Sequence, residues 1–157
     1  MSNITRATLA LGNEGIAYSL HPYDYVPGPD RVGLQAARAL DLDPSLVLKT
    51  LMMKANRKPV CVVVPANREV QLKALAAFLG VKSVEMMKPV EAERVTGYRV
   101  GGISPFGQRQ PATSVFEADV LGWSRVYINA GQRGLLLSIA PGDAVRILGS
   151  RTAQISV

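Results

Sequence analysis

A lysine interrupts an otherwise apolar run in the sequence SLVLKTLMM, which spans residues 45–53. Because alternate side chains of a strand face opposite sides of a sheet, Lys49 either points into solvent or lies beside a buried surface. In the second case it is a rigidly held cation, suited to a phosphate or to ribose hydroxyl groups. The residues alone leave both interpretations open.

A second candidate is the loop within YRVGGISPFGQ, residues 98–108. From Gly101 to Gly107 it has three glycines and one proline, and no acidic or basic side chain. Glycine lets another backbone or a ligand approach closely, and proline contributes no N–H. The loop is therefore either a tight turn or a cradle whose backbone N–H groups hold an oxyanion, a terminal hydroxyl group or a phosphate. Since glycine and proline mark turns more often than sites, the loop alone favours the turn.

The sequence GQRG, residues 131–134, repeats this pattern with an arginine between glycines. It is either an ordinary hairpin tip or a second element of an anion-binding site. Arg133 would then supply a guanidinium group to that site.

No residue is an obvious general base or nucleophile. His21 is the single histidine and has no serine or cysteine motif near it, so a structural or surface role is favoured. Cys61 lies in the apolar run VCVVV, where burial makes a thiol unreactive. Glu91 and Glu93 belong to a predicted helix and do not form the pair that acid/base chemistry needs. One cysteine and one histidine also fall short of a zinc site, and we expect no metal or cofactor.

Composition predicts one globular domain over residues 1–157, with 48% hydrophobic and 19% charged residues. The net charge of +6 is spread along the chain, which favours a folded surface that meets a polyanion, most often nucleic acid. No apolar run of about 18 residues and no signal-peptide pattern occurs, so we expect a cytoplasmic protein without membrane contact.

Periodicity and turn signals predict a mixed sheet with helices packed around it, in the α+β or α/β class. Asn3 and Asp30 are the predicted N-caps of the first two helices. Hairpins are predicted to turn at residues 56–58 and 129–132. The predicted helices span residues 4–13, 31–40, 70–80, 88–97 and 140–148. The predicted strands span residues 16–23, 47–55, 59–66, 81–86, 113–120, 124–131, 133–139 and 152–157.

Three segments together resemble the YbaK/EbsC family of bacterial aminoacyl-tRNA deacylases. They are LKTL around Lys49, VEMMKPVEAERVTGYRVGGISPFGQ, and YINAGQRGL. The resemblance runs from residue 21 to the last predicted helix and extends to the editing domain inserted in many prolyl-tRNA synthetases. It implies that family's fold, a mixed sheet curved into a barrel-like core with helices outside.

The resemblance also implies roles for individual residues. The family's lysine falls on Lys49 and would contact the terminal adenosine of the tRNA. The family's glycine loop falls on residues 101–105, whose backbone would hold the aminoacyl ester. The residues implied in catalysis are Lys49, Gly101, Gly102, Ile103 and Ser104. Those implied in substrate binding are Tyr23, Val32, Thr50, Pro105, Asn129, Arg133, Gly134 and Leu136.

The implied activity is that of a trans-acting editing deacylase, with Cys-tRNA(Pro) as the expected substrate. In this family the cysteine thiol is thought to attack its own ester and leave as a thiolactone, so no protein nucleophile is required. The implied partner is the acceptor end of an aminoacyl-tRNA, and a prolyl-tRNA synthetase is a candidate second partner. The alternatives are a non-catalytic module that binds a nucleotide or an RNA 3′ end, and a deacylase for another small amino acid such as alanine.

Three positions depart from the cysteine-specific pattern of the family. Val32 replaces a phenylalanine, Asn129 replaces a serine, and Leu136 replaces an aspartate. These positions line or support the implied pocket, and a pocket separates similar small side chains by only about 1–3 kcal/mol. The amino acid removed is therefore open, with cysteine and alanine as candidates.

Overall fold

In the computed structural model, which describes residues 3–27 and 31–157, eight strands form two sheets and five α-helices pack around them. The helices are α1 (Arg6–Asn13), α2 (Val32–Ala39), α3 (Leu72–Leu79), α4 (Pro89–Thr96) and α5 (Pro141–Leu148). The strands are β1 (Ser19–Pro22), β2 (Leu48–Ala55), β3 (Lys58–Pro65), β4 (Val84–Met86), β5 (Thr113–Glu117), β6 (Val126–Gln132), β7 (Leu135–Ile139) and β8 (Arg151–Ala153).

The larger sheet has the order β4-β2-β3-β5-β8 and mixes both kinds of pairing, as predicted. Strands β2 and β3 form an antiparallel hairpin, and β5 pairs in parallel with β3 and β8. Asn56 and Arg57 turn the hairpin with φ of 50° and 66°, the left-handed pair that matches the twist of flanking strands. The apolar run of β3 lies in the middle of the sheet and is buried on both faces.

The smaller sheet is antiparallel, in the order β1-β7-β6. A single parallel bridge between Val47 and Tyr127 connects it to the start of β2. The two sheets do not close on each other, so the barrel-like detail of the expected fold is not confirmed. The α/β class with a mixed sheet is confirmed.

The core follows the two-residue period of the central strands. Cys61 and Val63 face α1 and the smaller sheet, whereas Val62 and Val64 face α3 on the opposite side. The face toward the smaller sheet also carries the glycine loop, because Phe106 is buried there. The loop and α3 therefore lie on opposite sides of the larger sheet.

The predicted N-cap of the first helix was wrong. Thr5, and not Asn3, caps α1, because its hydroxyl oxygen accepts from the N–H of Thr8 at 3.1 Å while the Thr8 hydroxyl oxygen accepts from the N–H of Thr5 at 2.8 Å. The Thr5 hydroxyl group also donates to the carbonyl of Ala130, which ties α1 to β6. The predicted cap Asp30 lies outside the described residues, and α2 begins after Arg31, whose side chain makes no capping bond.

Two strands are shorter than predicted because a carboxylate is buried where β5 ends. Glu117 has no exposed surface and accepts hydrogen bonds from the backbone N–H groups of Asp119, Ile155 and Ser156. The chain therefore leaves β5 at Glu117 for a 3-10 turn, and β8 ends at Ala153. Within residues 3–27 and 31–157, no helix combines the length and apolar character needed to cross a bilayer.

Candidate active site

Strand β2 holds Lys49 in a mostly buried position. Its side chain is 16% exposed, and Nζ lies 3.7 Å from Oε1 of Glu69. Glu69 also pairs with Arg31 at the start of α2. Burial lowers the pKa of Lys49, the Glu69 carboxylate opposes this shift, and the Arg31 cation adds to it. Lys49 is thus neither a free surface lysine nor a core residue but a cation held between two elements.

The first turn of α2 packs closely against the strands beside Lys49. A Cβ atom at Gly33 would lie 2.8 Å from Cβ of Ala66 and 3.9 Å from Cβ of Lys49. Such spacing leaves no room for a side chain at position 33. The neighbouring Val32, the first residue of α2, is consequently held close to the strand that carries Lys49.

The glycine loop is a turn whose amides differ in availability. Gly101 has a φ of 93°, and the Gly102 N–H donates to the carbonyl of Arg99 at 2.8 Å. The amides of Gly101, Ile103 and Ser104 have no hydrogen-bond partner among the described residues. The loop is a turn at Gly102 and offers unpaired donors on both sides of it.

The rest of the loop is structural. Ser104 is fully buried, its hydroxyl oxygen accepts from the N–H of Phe106 at 3.2 Å, and its carbonyl accepts from Nε2 of Gln108 at 3.0 Å. Pro105 is buried as well. These contacts fix the loop against the core, and they leave the Ser104 hydroxyl group inaccessible as a nucleophile.

The turn between β6 and β7 is bonded directly to the glycine loop. Asn129 donates from Nδ2 to the carbonyl of Gly101 at 3.2 Å, while its Oδ1 accepts from the amides of Gly131 and Gln132 at 2.7 and 3.2 Å. Arg133 donates from Nε to the carbonyl of Val100 at 2.9 Å. Residues 99–107 and 129–134 therefore form one body, which we call the loop–turn unit.

Two buried hydroxyl groups lie near this unit without a partner. Tyr23 bonds through its N–H to the carbonyl of Gly134 at 2.9 Å and packs against the apolar cluster that contains Leu136. Burial raises the pKa of Tyr23, Tyr25 adds to the rise, and the backbone of Gly134, which lies near Oη without completing a hydrogen bond, opposes it. Among the described residues, Oη of Tyr23 and Oγ1 of Thr50 are buried side-chain atoms that make no hydrogen bond. Such groups are uncommon and mark places where a ligand or water can bind.

The structure brings the predicted residues together in two groups. Lys49 and Val32 lie where α2 meets β2, and Gly101, Asn129 and Arg133 belong to the loop–turn unit. The cluster around Leu136 joins them, since it includes Ala66 beside Gly33 as well as Tyr23 beside Gly134. Two surface depressions of about 660 and 310 Å³ are lined by other residues, along α2 and near Trp123. None of the predicted site residues lines either depression.

Sequence reasoning missed two residues of this region. The Tyr25 hydroxyl oxygen would lie 2.9 Å from a Cβ atom at Gly101, and Arg133 lies over the Tyr25 ring at 5.5 Å. The two-residue spacing from Tyr23 was the signal that could have found Tyr25. Glu69 follows β3 in a turn, and nothing in its local sequence indicates that it pairs with Lys49.

The side chains that could act as nucleophiles are held elsewhere. His21 Nε2 lies 3.0 Å from the hydroxyl oxygen of Ser138, a neighbour that strand pairing supplies and the sequence motifs did not indicate. Ser138 is 3% exposed, so this pair cannot reach a substrate. Cys61 is 2% exposed, and burial raises the pKa of its thiol to about 12. Neither residue supplies an attacking group near neutral pH.

Among the described residues, the region thus combines unpaired main-chain donors and a held cation with no accessible cysteine or histidine–serine pair. A family model described as the aminoacyl-tRNA editing domain matches residues 33–147. The chain belongs to the aminoacyl-tRNA editing domain family, which confirms the resemblance seen in three sequence segments.

Individual relatives agree with this membership. The chain is 30% identical over 136 residues to EbsC of Enterococcus faecalis, a proposed Cys-tRNA(Pro)/Cys-tRNA(Cys) deacylase, and the match covers 85% of this chain and 83% of EbsC. It is 27% identical over 113 residues to the proline–tRNA ligase of Limosilactobacillus fermentum, covering 69% of this chain but only 20% of the ligase.

Solved structures show the same fold. A proposed trans-editing enzyme for prolyl-tRNA synthetase superposes with a TM-score of 0.82 at 21% identity, covering 97% of this chain and 95% of that one. A protein titled hypothetical protein APE2540 superposes with a TM-score of 0.87 at 24% identity, covering 98% and 100%. At these identities the likeness concerns the fold alone.

Proposed function

We propose that this protein is a trans-acting editing deacylase that removes a wrongly attached amino acid from tRNA, with Cys-tRNA(Pro) as its main substrate. The observation that carries the proposal is the loop–turn unit, which presents unpaired amides at Gly101 and Ile103, while residues 3–27 and 31–157 place no accessible cysteine or histidine beside them. Membership of the editing domain family and the identity to EbsC support the same activity.

The proposed reaction uses the substrate's own thiol. The sulfur attacks the ester carbonyl carbon, the carbonyl oxygen becomes an oxyanion, and the bond to the ribose 3′ oxygen breaks. That oxygen takes up the proton that the thiol loses, and cysteine leaves as a thiolactone, which water later opens. The amides of Gly101 and Ile103 stabilise the oxyanion, which is where preorganised donors contribute most to the rate.

The remaining residues position the ester. Lys49 binds the terminal adenosine through its ammonium group, and its burial between α2 and β2 restricts it to one direction. The hydroxyl groups of Tyr23 and Thr50 gain partners when the 3′ end binds, which accounts for their unpaired state. Gly102 contributes to turn geometry, because its amide is already bonded to Arg99.

The three departures from the cysteine-specific pattern affect the pocket in different ways. The side-chain amide of Asn129 forms hydrogen bonds with the backbone of Gly101, Gly131 and Gln132, so it stabilises the loop–turn unit and is not free to bind a substrate. Leu136 is buried in the apolar cluster beside Tyr23 and makes that wall apolar. Val32 at the start of α2 leaves more space than a phenylalanine would. An apolar pocket of this kind rejects a side chain as small as that of alanine only weakly, so alanine stays the alternative amino acid.

A second candidate function is a non-catalytic module that binds an RNA 3′ end. The lack of an accessible general base at the site, among the residues that the structure describes, favours it, because a positioning site and a binding site use the same groups. The proposals differ in turnover. Purified protein in catalytic amounts should release amino acid from Cys-tRNA(Pro), more slowly from Ala-tRNA(Pro), and not from Pro-tRNA(Pro). Binding of all three without release would establish the module and exclude the deacylase.

The proposed partners follow from this activity. A tRNA substrate would place the protein in the cytoplasm, where translation occurs. A prolyl-tRNA synthetase would supply the tRNA identity that a domain of this size cannot read alone. Stimulation of Cys-tRNA(Pro) clearance by added synthetase, beyond the sum of the separate rates, is the expected result. Strictly additive rates would contradict this partnership.

A further inference from the structure

Three arginine side chains border one side of the glycine loop. A Cβ atom at Gly97 would lie 3.0 Å from Nη1 of Arg6 and 3.5 Å from Nε of Arg109. A Cβ atom at Gly101, four residues further along, would lie 3.3 Å from Nε of Arg133. All three arginines are exposed, so their guanidinium groups line the surface next to residues 97–101.

The fold holds the backbone of each of these arginines in place. The Arg109 amide donates to the carbonyl of Thr96 at 2.9 Å, which fixes it to the end of α4. Arg6 begins α1, and its carbonyl oxygen would be 2.5 Å from a Cβ atom at Gly107. Arg133 is bonded to Val100 within the loop–turn unit. The three cations therefore extend from anchored backbone positions, which a flexible lysine-rich tail would not provide.

These arginines have no counter-charge. Among the described residues, no aspartate or glutamate oxygen lies within 4.0 Å of their guanidinium groups. The nearby carboxylate of Glu93 accepts instead from the N–H of Val100 at 2.9 Å. Arg6 moreover occupies the first turn of α1, which has no acidic residue, and a cation there is unfavourable with the helix dipole. Arg133 has a local role through its bond to Val100, but no side-chain hydrogen bond or ion pair among the described residues explains the placement of Arg6 and Arg109, whereas binding of an anion does.

We propose that Arg6, Arg109 and Arg133 form a track that binds consecutive backbone phosphates of the tRNA acceptor stem, behind the 3′ end held by the loop. The identity of the polyanion rests on the proposed function. Separate guanidinium groups on three anchored backbone positions suit a chain of phosphates better than one free phosphate ion. The net charge of +6 favours RNA over a basic protein partner.

The experiment measures binding of an uncharged, fluorescein-labelled tRNA(Pro) transcript from 50 to 300 mM KCl. The test variant is Arg6→Gln/Arg109→Gln, which removes two charges of the track and leaves the loop–turn unit untouched. The control is Lys73→Gln/Lys82→Gln, which removes the same charge beside α3, on the other side of the larger sheet. Circular dichroism and melting temperature establish that both variants fold.

We expect the test variant to bind about 20-fold more weakly near 0.1 M salt, with a log–log salt slope shallower by about 0.7–0.9 per arginine removed. The control should keep the wild-type slope. Equal changes in both variants would mean that only overall charge matters and would overturn the track. Displacement of the RNA by inorganic phosphate at equal phosphate concentration would overturn it too.

Activity separates this inference from the proposed function. With Cys-tRNA(Pro), the test variant should lose more activity than it does with a cysteinylated CCA trinucleotide, which carries the ester but no stem phosphates. Equal losses on both substrates would contradict the track. The wild-type protein could also bind the transcript with the expected salt slope and yet release no cysteine from either substrate. That result would contradict the deacylase assignment and support the track.

Discussion

At the scale of single residues, Lys49 is the side chain whose removal is most informative. In the proposed function, Lys49→Ala removes a charge-assisted contact to the terminal adenosine, and losses of this kind cost about 2–5 kcal/mol. We expect deacylation of Cys-tRNA(Pro) to fall about 30-fold or more, while the melting temperature stays close to that of the wild type. Single-turnover rates at equal folded concentration measure this. Near wild-type rates would remove Lys49 from the site.

The neighbours of Lys49 predict a pH effect. Burial and Arg31 lower the pKa of Lys49, and the Glu69 carboxylate is the only opposing charge facing it among the described residues. Glu69→Gln removes that opposition, so the pKa of Lys49 falls further and its charge is lost at lower pH. Activity should therefore decline at lower pH in the variant than in the wild type, after subtraction of spontaneous ester hydrolysis.

A control keeps this pH effect separate from a structural one. Glu85→Gln removes an exposed carboxylate near Lys54, on the β4 side of the sheet, and should leave the pH profile unchanged. A profile for Glu69→Gln that is uniformly lower but not displaced along the pH axis would mean that Glu69 acts only through the fold.

Residue-level prediction from sequence succeeded where the signal was local. Lys49 stands out because it interrupts an apolar run, and the loop stands out because its glycines and proline are adjacent. Tyr25 and Glu69 were missed because their relevance comes from contacts across the fold, 76 positions from Gly101 in one case and 20 from Lys49 in the other. The glycine content of the loop alone does not predict which of its backbone N–H groups form hydrogen bonds within the turn.

At the scale of elements, the loop–turn unit predicts unequal effects of adding a methyl group. In Gly101→Ala the methyl group would meet the Tyr25 hydroxyl oxygen at 2.9 Å, and φ of 93° adds about 1–2 kcal/mol of strain. In Gly102→Ala it would meet the backbone nitrogen of Arg133 at 2.8 Å. Because backbone yields less than a side chain, Gly102→Ala should displace the loop from the turn and reduce turnover more.

The matched control for both glycine variants is Gly142→Ala. Gly142 lies in α5, and nothing would come within 4 Å of its added methyl group. We expect it to be neutral or slightly stabilising, since alanine favours a helix by about 1 kcal/mol over glycine. Thermal denaturation and turnover of the three variants give the comparison. Full activity in Gly102→Ala would mean that the glycine loop need not contact residues 129–134.

The buried carboxylate at the end of β5 yields a prediction about stability. Glu117→Gln replaces Oε2, which accepts from the N–H of Asp119 at 3.0 Å, by an amide or forces a flip that loses the bonds to Ile155 and Ser156. The free energy of unfolding should fall by about 1–3 kcal/mol, the cost of leaving buried donors unpaired. Urea denaturation measures this, and activity per folded molecule should be retained. An unchanged free energy of unfolding would contradict the anchoring role.

Glu117 also shows why strand ends were predicted less well than strand centres. The β2–β3 hairpin and the α3 helix follow from short-range periodicity and turn residues. The end of β5 depends on the Glu117 side chain, which accepts hydrogen bonds from backbone N–H groups 38 and 39 positions away. Propensity continues the strand to residue 120, and the tertiary contact ends it at Glu117.

At the scale of the whole molecule, the sequence was enough to predict the fold class and the family. It was not enough to predict whether the sheets close into a barrel. Alternation between strands and helices was enough for a mixed α/β sheet. Whether the two sheets join depends on how β6 approaches β2, and within the described residues one backbone bridge, between Val47 and Tyr127, connects them. No local pattern encodes a single long-range bridge, so the barrel-like expectation came from the resemblance and not from the residues.

The last prediction concerns the source of the nucleophile, a property of the whole molecule because the described residues offer no accessible nucleophilic side chain in the site. If the substrate supplies it, Cys-tRNA(Pro) should react far faster than Ser-tRNA(Pro) or Ala-tRNA(Pro). A hydroxyl group is a much poorer nucleophile near neutral pH and a methyl group is none, whereas a pocket alone separates such side chains only about 10- to 200-fold.

Product analysis makes that prediction decisive. Rapid quenching and mass spectrometry should detect cysteine thiolactone, lighter than cysteine by one water, before free cysteine accumulates. Cys61→Ser serves as the control, because a buried thiol with a pKa of about 12 has no part in the reaction and its folded fraction should keep full specific activity. Equal rates on the alanyl and cysteinyl esters without thiolactone would mean an enzyme-activated water, and the polar hydroxyl groups of Tyr23 and Thr50 would then be the first candidates to orient it.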